Sequence, residues 1–529
     1  MQNDTETVKK QPKLPPDDLE KIKIIIYRTF LKRKLLDFER ISTYFLLPLR
    51  IYFQILRLMK YRFMTLLSLF VLAMAAMAQG KAKYVFYFIG DGMGVNQVNA
   101  TETYLGALEG RIGIKEMCFP SFPFAALVNT QSATNGVTDS AAGGTALATG
   151  QKTKNGALGV LKDQTTAITS LADWAREGGA AVGITTSVSI DHATPASFYS
   201  HVGNRGESYK IGQQLVNSGN DFYGASDFVK PNNPDGGPDL YKQAEEKGFT
   251  IARGYKDYQK KAKKADRMIL FQSEEASKKD RGSIPYALDR SKNDLTLTDI
   301  TRAAVNFLTK KQGQKDGFFL MVEGGKIDWA CHANDMCFIP EVLDLDNAVK
   351  VAYEFYQQHP DETLIVVTAD HETGGLTLGR GPYELHLEVV GNQRMSIEKL
   401  GKELHALHEK HGDKYSWDIV KAFLTENFGF WSTVKLKDDQ TKRLEKAFQN
   451  IMSGKGQDTK SLYQKDDELA TTVRKIQAEC AMTGWQSGGH SNGYVPCFAI
   501  GAGAELFTGR IDNTEIPKRI AKAAGWQIK

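Results

Sequence analysis

Tyr84-Val85-Phe86-Tyr87-Phe88-Ile89-Gly90-Asp91-Gly92-Met93-Gly94 is the stretch from which the fold can be read. Its first half is apolar without alternation, as a strand covered on both faces must be, and β-branched and aromatic residues dominate it. Its second half is an acid between glycines, which let backbone and ligand come close. The runs Ala180–Thr185, Phe318–Val322, Leu364–Ala369 and Val495–Ile500 read the same way. Helical patterns lie between them at Ser170–Glu177 and Thr298–Lys310. In the second, Thr298 is the expected N-cap and Ile300, Ala303, Ala304 and Phe307 form the apolar stripe. The alternation predicts an α/β fold: one large central, mostly parallel sheet with helices on both faces.

Two regions stand apart from this rhythm. Residues from about Tyr255 to Arg281 are rich in Lys, Asp and Glu and are expected to form a solvated helix or excursion. The segment 376–486 is long, polar and aromatic, with helical stretches at Ser396–His411 and Trp417–Asn427, and too long for a loop. It is expected to be an inserted subdomain. No internal repeat or low-complexity tract is visible.

The 529 residues, 42% hydrophobic and 24% charged, are ordinary for a globular protein with a large core. The front of the chain needs separating from that body. Met59-Lys60-Tyr61-Arg62 is a short basic start, Phe63–Met74 an apolar run, and Ala76-Met77-Ala78 a small-x-small cleavage pattern. Residues 59–78 therefore read as a secretory signal, with Gln79 as the mature N-terminus. The apolar run is shorter than the roughly 20 residues needed to span a bilayer, and no cysteine follows the junction to carry a lipid. Residues 1–58 are expected to be an upstream extension from a misassigned start at Met1; a peptide from them in the exported protein would overturn this. They hold 12 Lys/Arg against 7 Asp/Glu, and the signal adds Lys60 and Arg62, so the formal charge of +5 becomes −2 for 79–529. The basic balance that would hint at nucleic acid or membrane partners belongs to the wrong part of the chain. No nucleic-acid-binding domain and no stable membrane anchor after cleavage are expected, and the location is periplasmic or secreted. Cys118, Cys331, Cys337, Cys480 and Cys497 are an odd set without Cys-x-x-Cys spacing, against a thiolate zinc site. Cys331 and Cys337 are near enough for a small-loop disulfide, which sequence leaves open.

Polar residues follow the strands: Asp91 after the first, Glu323 and Asp328 after the third, Asp370 and His371 after the fourth. In open α/β sheets ligands sit at the carboxyl ends of strands. Asp328 and His332, four apart, share one face of a helical turn and can grip one ion. Gly374-Gly375 can help Asp370-His371 turn toward a metal, and His490 lies in the Gly-rich Ser487–Gly493 loop. Oxygen and nitrogen ligands without thiolate suit zinc, or magnesium where oxygens dominate. Asp139-Ser140 opens the small-residue run Ala141–Gly150, placing Ser140 in or beside a first helical turn, where free N–H groups favour an anion. Taken alone, this stretch reads more plainly as an N-cap serine before a buried Ala/Gly helix.

Six motifs in order, Ile89–Gly94, Thr138–Ala142, Ala193–Ser197, Val322–Asp328, Thr368–His371 and Gly488–His490, make the chain from about Tyr84 to its end resemble an alkaline phosphatase. The resemblance implies two Zn2+ and one Mg2+. One zinc is implied on Asp328, His332 and His490, the second on Asp91, Asp370 and His371 beside the nucleophile Ser140. The magnesium is implied on Asp91, Thr194 and Glu323. Arg205 matches the arginine that grips phosphoryl oxygens, a role its planar fork suits. The implied reaction is hydrolysis of small phosphomonoesters through a phosphoserine, with broad substrate range. Family members are usually dimeric, which leaves a homodimer open. Asp139, His192 and Trp329 are expected near the substrate. Some bacterial members carry Asp and Lys where this chain has His192 and Trp329; the Asp/Lys pair would place a salt bridge and a further cation near the phosphate, and the His/Trp pair removes both.

The rival readings lack their marks. A nucleotide pyrophosphatase/phosphodiesterase would typically have a threonine nucleophile and lack Arg205 and the third site. A sulfatase needs a Cys/Ser-x-Pro-x-Arg context, which is not found. A metal-dependent phosphoglycerate mutase is cytosolic chemistry. A non-catalytic binding module would not need the intact nucleophile.

Overall fold

The computed structural model describes residues 16–77, 81–311 and 315–529. The chain divides into two units, residues 1–79 and 80–529. In the first, Pro16–Met77 is one helix. No helix among the described residues is long and apolar enough to cross a membrane. The expected cleavage junction, Ala78–Gln79, lies outside the described residues.

The second unit is built on a ten-stranded sheet. Its strands are β1 (Tyr84–Gly90), β2 (Phe124–Asn129), β3 (Ala181–Thr186), β4 (Phe222–Ala225), β5 (Phe249–Arg253), β6 (Arg267–Phe271), β7 (Phe318–Gly324), β8 (Thr363–Thr368), β9 (Val495–Gly501) and β10 (Gly509–Asp512). Their order is β10-β2-β9-β8-β1-β7-β3-β4-β6-β5. Every pairing is parallel except those of β9 with β2 and β8. All five expected strands are in this sheet. Every residue of β1, β3, β7 and β8 is buried, which requires cover on both faces and explains the unbroken apolar runs. Leu297–Lys310 and Phe338–Gln358 pack on each other and on central strands; Ser140–Thr149, Leu171–Glu177 and Glu515–Ala524 form a second helical group around the sheet.

Register places the chemistry. Ile89 lies level with Glu323 on β7 and with Thr368 on β8, so the three central strands end together. Asp91, Glu323 and Asp370 thus emerge side by side.

Two expectations need correction. The helix expected to be capped by Thr298 is capped two residues earlier, by Thr296, and begins at Leu297, because Thr296 and Asp299 form a reciprocal capping box there. Residues 255–281 are not a solvated excursion. They contain β6, whose Met268–Phe271 run is buried between β4 and β5. The Lys and acid density that masked it belongs to the flanking short helices Tyr255–Lys261 and Glu274–Lys279.

Within 376–486, Leu376–Leu378 pairs antiparallel with Thr483–Trp485. Between these strands the helices Ile397–His411, Trp417–Phe428, Asp438–Met452 and Glu468–Cys480 enclose an apolar cluster of their own, including Leu400, Leu424, Leu444 and Val473. Asp335, in the turn between the helices Lys326–His332 and Phe338–Gln358, ties this segment to the helices beside the sheet, accepting from Gln393 Nε2 at 2.8 Å and Ile397 N at 2.7 Å. The five cysteines are free thiols, so Cys331 and Cys337 form no disulfide.

Candidate active site

Ser140 is the first residue of the helix Ser140–Thr149, and Asp139 rather than the serine is its N-cap. The Asp139 carboxylate accepts from Ala142 N and Gly156 N, both at 3.0 Å, and from Arg205 Nη1 at 3.2 Å. One acid therefore fixes both the serine's turn and the arginine. The small-residue sequence of this helix has a steric cause: a Cβ on Gly143 would meet the Asp370 carbonyl at 2.9 Å, and one on Gly144 would meet Ser197 Oγ at 2.8 Å. At Gly92, φ is +72° and a Cβ would lie 2.9 Å from Asp328 Oδ1, so conformation and space both require glycine.

The sheet edge gathers its groups into clusters. Asp328 and His332 lie on the helix Lys326–His332, with His332 Nε2 at 3.2 Å from Asp328 Oδ2. His490 reaches them on the two-residue strand His490–Ser491, which pairs with Glu372–Thr373. Its Nε2 stands 3.6 Å from Asp328 Oδ1 and 3.1 Å from His332 Nε2. His371 Nε2 lies 3.3 Å from Asp91 Oδ1, Asp370 Oδ2 and Ser140 Oγ alike. Asp91, His192 and Glu323 form a third group, with His192 Nδ1 at 3.6 Å from Glu323 and 3.9 Å from Asp91. Thr194 is fully buried and its hydroxyl donates to Asp370 Oδ2 at 3.4 Å.

Hydrogen bonding fixes the imidazole tautomers. His332 Nδ1 is 2.6 Å from Gly488 O, and His490 Nδ1 is 2.8 Å from Thr138 O. A carbonyl only accepts, so both Nδ1 atoms carry protons. Thr373 Oγ1 donates to Asp328 and so accepts from His371 Nδ1 at 3.2 Å. In their neutral forms all three Nε2 lone pairs therefore face carboxylates and, for His332 and His490, each other. His192 is set the other way. Its Nε2 accepts from Arg205 Nη2 at 3.2 Å, which leaves the proton on Nδ1, toward Glu323 and Asp91. This argues that His192 is a neighbour of the third group's carboxylates, not a ligand beside them.

Electrostatics tells the same story. Burial, then the charges of Asp370, Asp328 and Glu323, push the Asp91 pKa well up. Burial and Asp328 push Asp370 up to about 8. Burial also opposes ionisation of Asp328, but His332 and His490 hold it well below the usual carboxylate range. Burial, then His490, pushes the His371 pKa down, keeping the imidazole neutral. Both oxygens of Asp91, Glu323 Oε1, Asp328 Oδ2 and His192 Nδ1 are buried without a hydrogen-bond partner. Uncompensated carboxylates are too costly to bury together. Cations satisfy oxygens and imidazole lone pairs at once, so the donor set fits metals.

One residue at this site was not foreseen. Tyr463, from the turn between Thr459–Lys460 and Lys465–Asp466, stacks on Trp329 with ring centroids 4.3 Å apart and planes 13° apart. Its hydroxyl is 3.4 Å from His192 Nε2, and its ring meets that of His332 edge-on at 5.4 Å. Nothing local in Ser461-Leu462-Tyr463-Gln464 signals this, because the contact exists only once 376–486 folds back on the sheet edge.

Known proteins share this chain's sequence and fold. The sequence model described as alkaline phosphatase matches residues 82–526. Alkaline phosphatase 3 of Bacillus subtilis (strain 168) is 33% identical over 468 residues, covering 85% of this chain and 91% of that protein. The crystal structure of a cold-active alkaline phosphatase from the psychrophile Shewanella sp. superposes with TM-score 0.69 at 26% identity, covering 83% of this chain and 99% of the other. A magnesium-bound TAB5 alkaline phosphatase mutant gives TM-score 0.59 at 25% identity, covering 85% and 99%. With its sheet, its strand-end acids and these relatives taken together, the chain belongs to the alkaline phosphatase family.

Proposed function

We propose that this enzyme hydrolyses phosphate monoesters by way of a phosphoserine at Ser140, at a site holding two Zn2+ and one Mg2+. The observation that carries the reading is the buried Ser140 hydroxyl, 3.3 Å from an imidazole nitrogen that two carboxylates also face. Asp328, His332 and His490 would hold one zinc; Asp91, Asp370 and His371 the other. Asp91, Thr194 and Glu323 offer oxygens alone and suit magnesium. The TAB5 mutant described with Mg bound in its M3 site supports that ion. When bound, the cations supply Lewis-acid charge to the serine hydroxyl and the departing oxygen.

The chain's own residues do the rest. Asp139 holds Ser140 at a helix N-terminus, where the dipole favours the phosphoryl anion. The Arg205 fork grips non-bridging oxygens and is aimed by Asp139 and His192. Ser140 Oγ forms a bond to phosphorus as the ester oxygen leaves, and water then cleaves the phosphoserine to release phosphate. Trp329 and Tyr463 wall the approach. The same reading takes residues 59–78 as an export signal to the periplasm or beyond, 79–529 as the mature chain and 376–486 as an insertion, and leaves a homodimer open.

Acid-quenched turnover of 4-nitrophenyl phosphate by the zinc- and magnesium-loaded protein, followed by peptide mass spectrometry, tests this. Phosphate on Ser140 and faster hydrolysis of the monoester than of bis-4-nitrophenyl phosphate are expected. Preference for the diester, or quenched protein without phosphoserine, would overturn the reading.

His192→Asp gives a second expectation. A carboxylate there would face Glu323 and Asp91, adding negative charge around the magnesium position. Dialysed wild-type protein should be activated by added magnesium. The variant should retain more magnesium by elemental analysis and need less of it. Equal magnesium content and equal activation in both would defeat this account of His192.

A further inference from the structure

Beside His332 opens a cavity of about 460 Å3, lined among others by Lys460, Ser461, Arg474 and Gly488. Arg474 is only 6% exposed, on the helix Glu468–Cys480, yet no hydrogen bond or ion pair among the described residues reaches its guanidinium. Its Nε is buried without a partner. Two acids, Asp466 and Asp335, lie near enough for their charge to favour the guanidinium, but neither hydrogen-bonds it: both Asp466 oxygens accept from Gln464 Nε2 at 2.9 Å, and Asp335 accepts from Gln393 Nε2 and Ile397 N. A guanidinium stays charged when buried, and buried donors that no acceptor meets are costly even where acids lie nearby. Such a group on a cavity wall is set to receive an anion.

The cavity's position says which anion. Its wall includes His332, of the Asp328–His332–His490 cluster; with Asp91, Asp370 and His371 beside Ser140, the cation on this other cluster would be the one to meet the departing oxygen. The alcohol part of a bound ester therefore extends toward this cavity. We propose that Arg474, assisted by Lys460, forms a subsite for a second anionic group on the leaving alcohol, so that phosphomonoesters carrying a carboxylate or a second phosphoryl group are preferred. This deepens the phosphomonoesterase reading and rests on it. The hairpin holding Lys460 also carries Tyr463, so one segment of 376–486 supplies both the aromatic wall and part of the subsite.

The test uses the metal-loaded full enzyme and two pairs of esters. 3-Phosphoglycerate against glycerol 3-phosphate probes a carboxylate, and 3-phosphonopropyl phosphate against propyl phosphate probes a phosphoryl group. The readout is the ratio of kcat/KM, charged over neutral, within each protein, so a general loss of activity cancels. The wild type should favour the charged member of at least one pair, and raised salt should reduce that preference. Arg474→Met should lower the ratio about tenfold, the scale of a charge-assisted hydrogen bond. Arg474→Lys should recover part of it, and Lys460→Gln should lower it less. If Arg474→Met does not fold, Lys460→Gln and the salt dependence decide the matter. Ratios near one in the wild type, or unchanged by these substitutions, overturn the subsite while 4-nitrophenyl phosphate turnover leaves the phosphomonoesterase reading standing. Absence of that turnover removes both.

Discussion

Replacing Ser140 with alanine is expected to leave a folded, metal-loaded protein whose kcat for aryl phosphates has fallen more than about a hundredfold, on the order of 2.7 kcal/mol of barrier or more. The fold should tolerate the change. Ser140 opens its helix but does not cap it, and the Asp139 side chain still accepts from Ala142 N. Alanine fills the same buried position without crowding Asp370 or Ser197. The metals should stay, because all six carboxylates and imidazoles assigned to zinc lie on other elements. Phosphate binding should also stay, since Arg205 remains tied to Asp139. Other hydroxyls nearby are already engaged: Thr138 Oγ1 with Asp139 O, and Thr194 Oγ1 with Asp370. Steady-state kinetics, elemental analysis and phosphate competition on one preparation check the three parts separately. A variant keeping more than about a tenth of wild-type kcat, a change of under ~1.4 kcal/mol, would exclude the covalent route.

How much of this was readable beforehand follows from the range over which each signal acts. Strands buried on both faces announce themselves as unbroken apolar runs, and β1, β3, β7, β8 and β9 were all visible. β4 and β6 were not. Phe222–Ala225 is only four residues long, and Met268–Phe271 is flanked by charged helices that set the local composition. The site's acids and histidines were legible because they follow strands whose ends the register brings level. Their tautomers were not, since Gly488 O, Thr138 O and Thr373 Oγ1 come from distant segments. Asp139 as cap of the serine's turn was within reach of local reading, for an Asp before a small-residue helix is a standard N-cap. Tyr463 and Arg474 depend on the folding-back of 376–486, and no periodicity in their own segments encodes that.

Stripping the metals with a chelator is expected to abolish turnover and to lower the melting temperature together, and the second effect follows from burial. Asp91, Glu323, Asp328 and Asp370 are each 0% exposed, in one cluster, with several oxygens lacking any hydrogen-bond donor. Without cations the protein must either protonate some of these acids or tolerate their repulsion. Burial and the neighbouring acids push both Asp91 and Asp370 toward the protonated form. Either course costs stability that bound cations would restore. A ligand bound only by the folded state stabilises it by about 2.7 kcal/mol at a hundredfold excess over its Kd, so several tightly held ions should raise the melting temperature by at least about 5 °C. Return of zinc alone should restore most of the turnover, and magnesium the remainder, because the assigned zinc sets face the serine and the departing oxygen. Calorimetry and 4-nitrophenyl phosphate assays before chelation, after it and after each ion is returned would measure both effects. Chelated protein shown by elemental analysis to be metal-free, yet retaining half its turnover or its full melting temperature, would mean that these buried carboxylates are satisfied by something other than metal. The assignment of the three clusters would then fall.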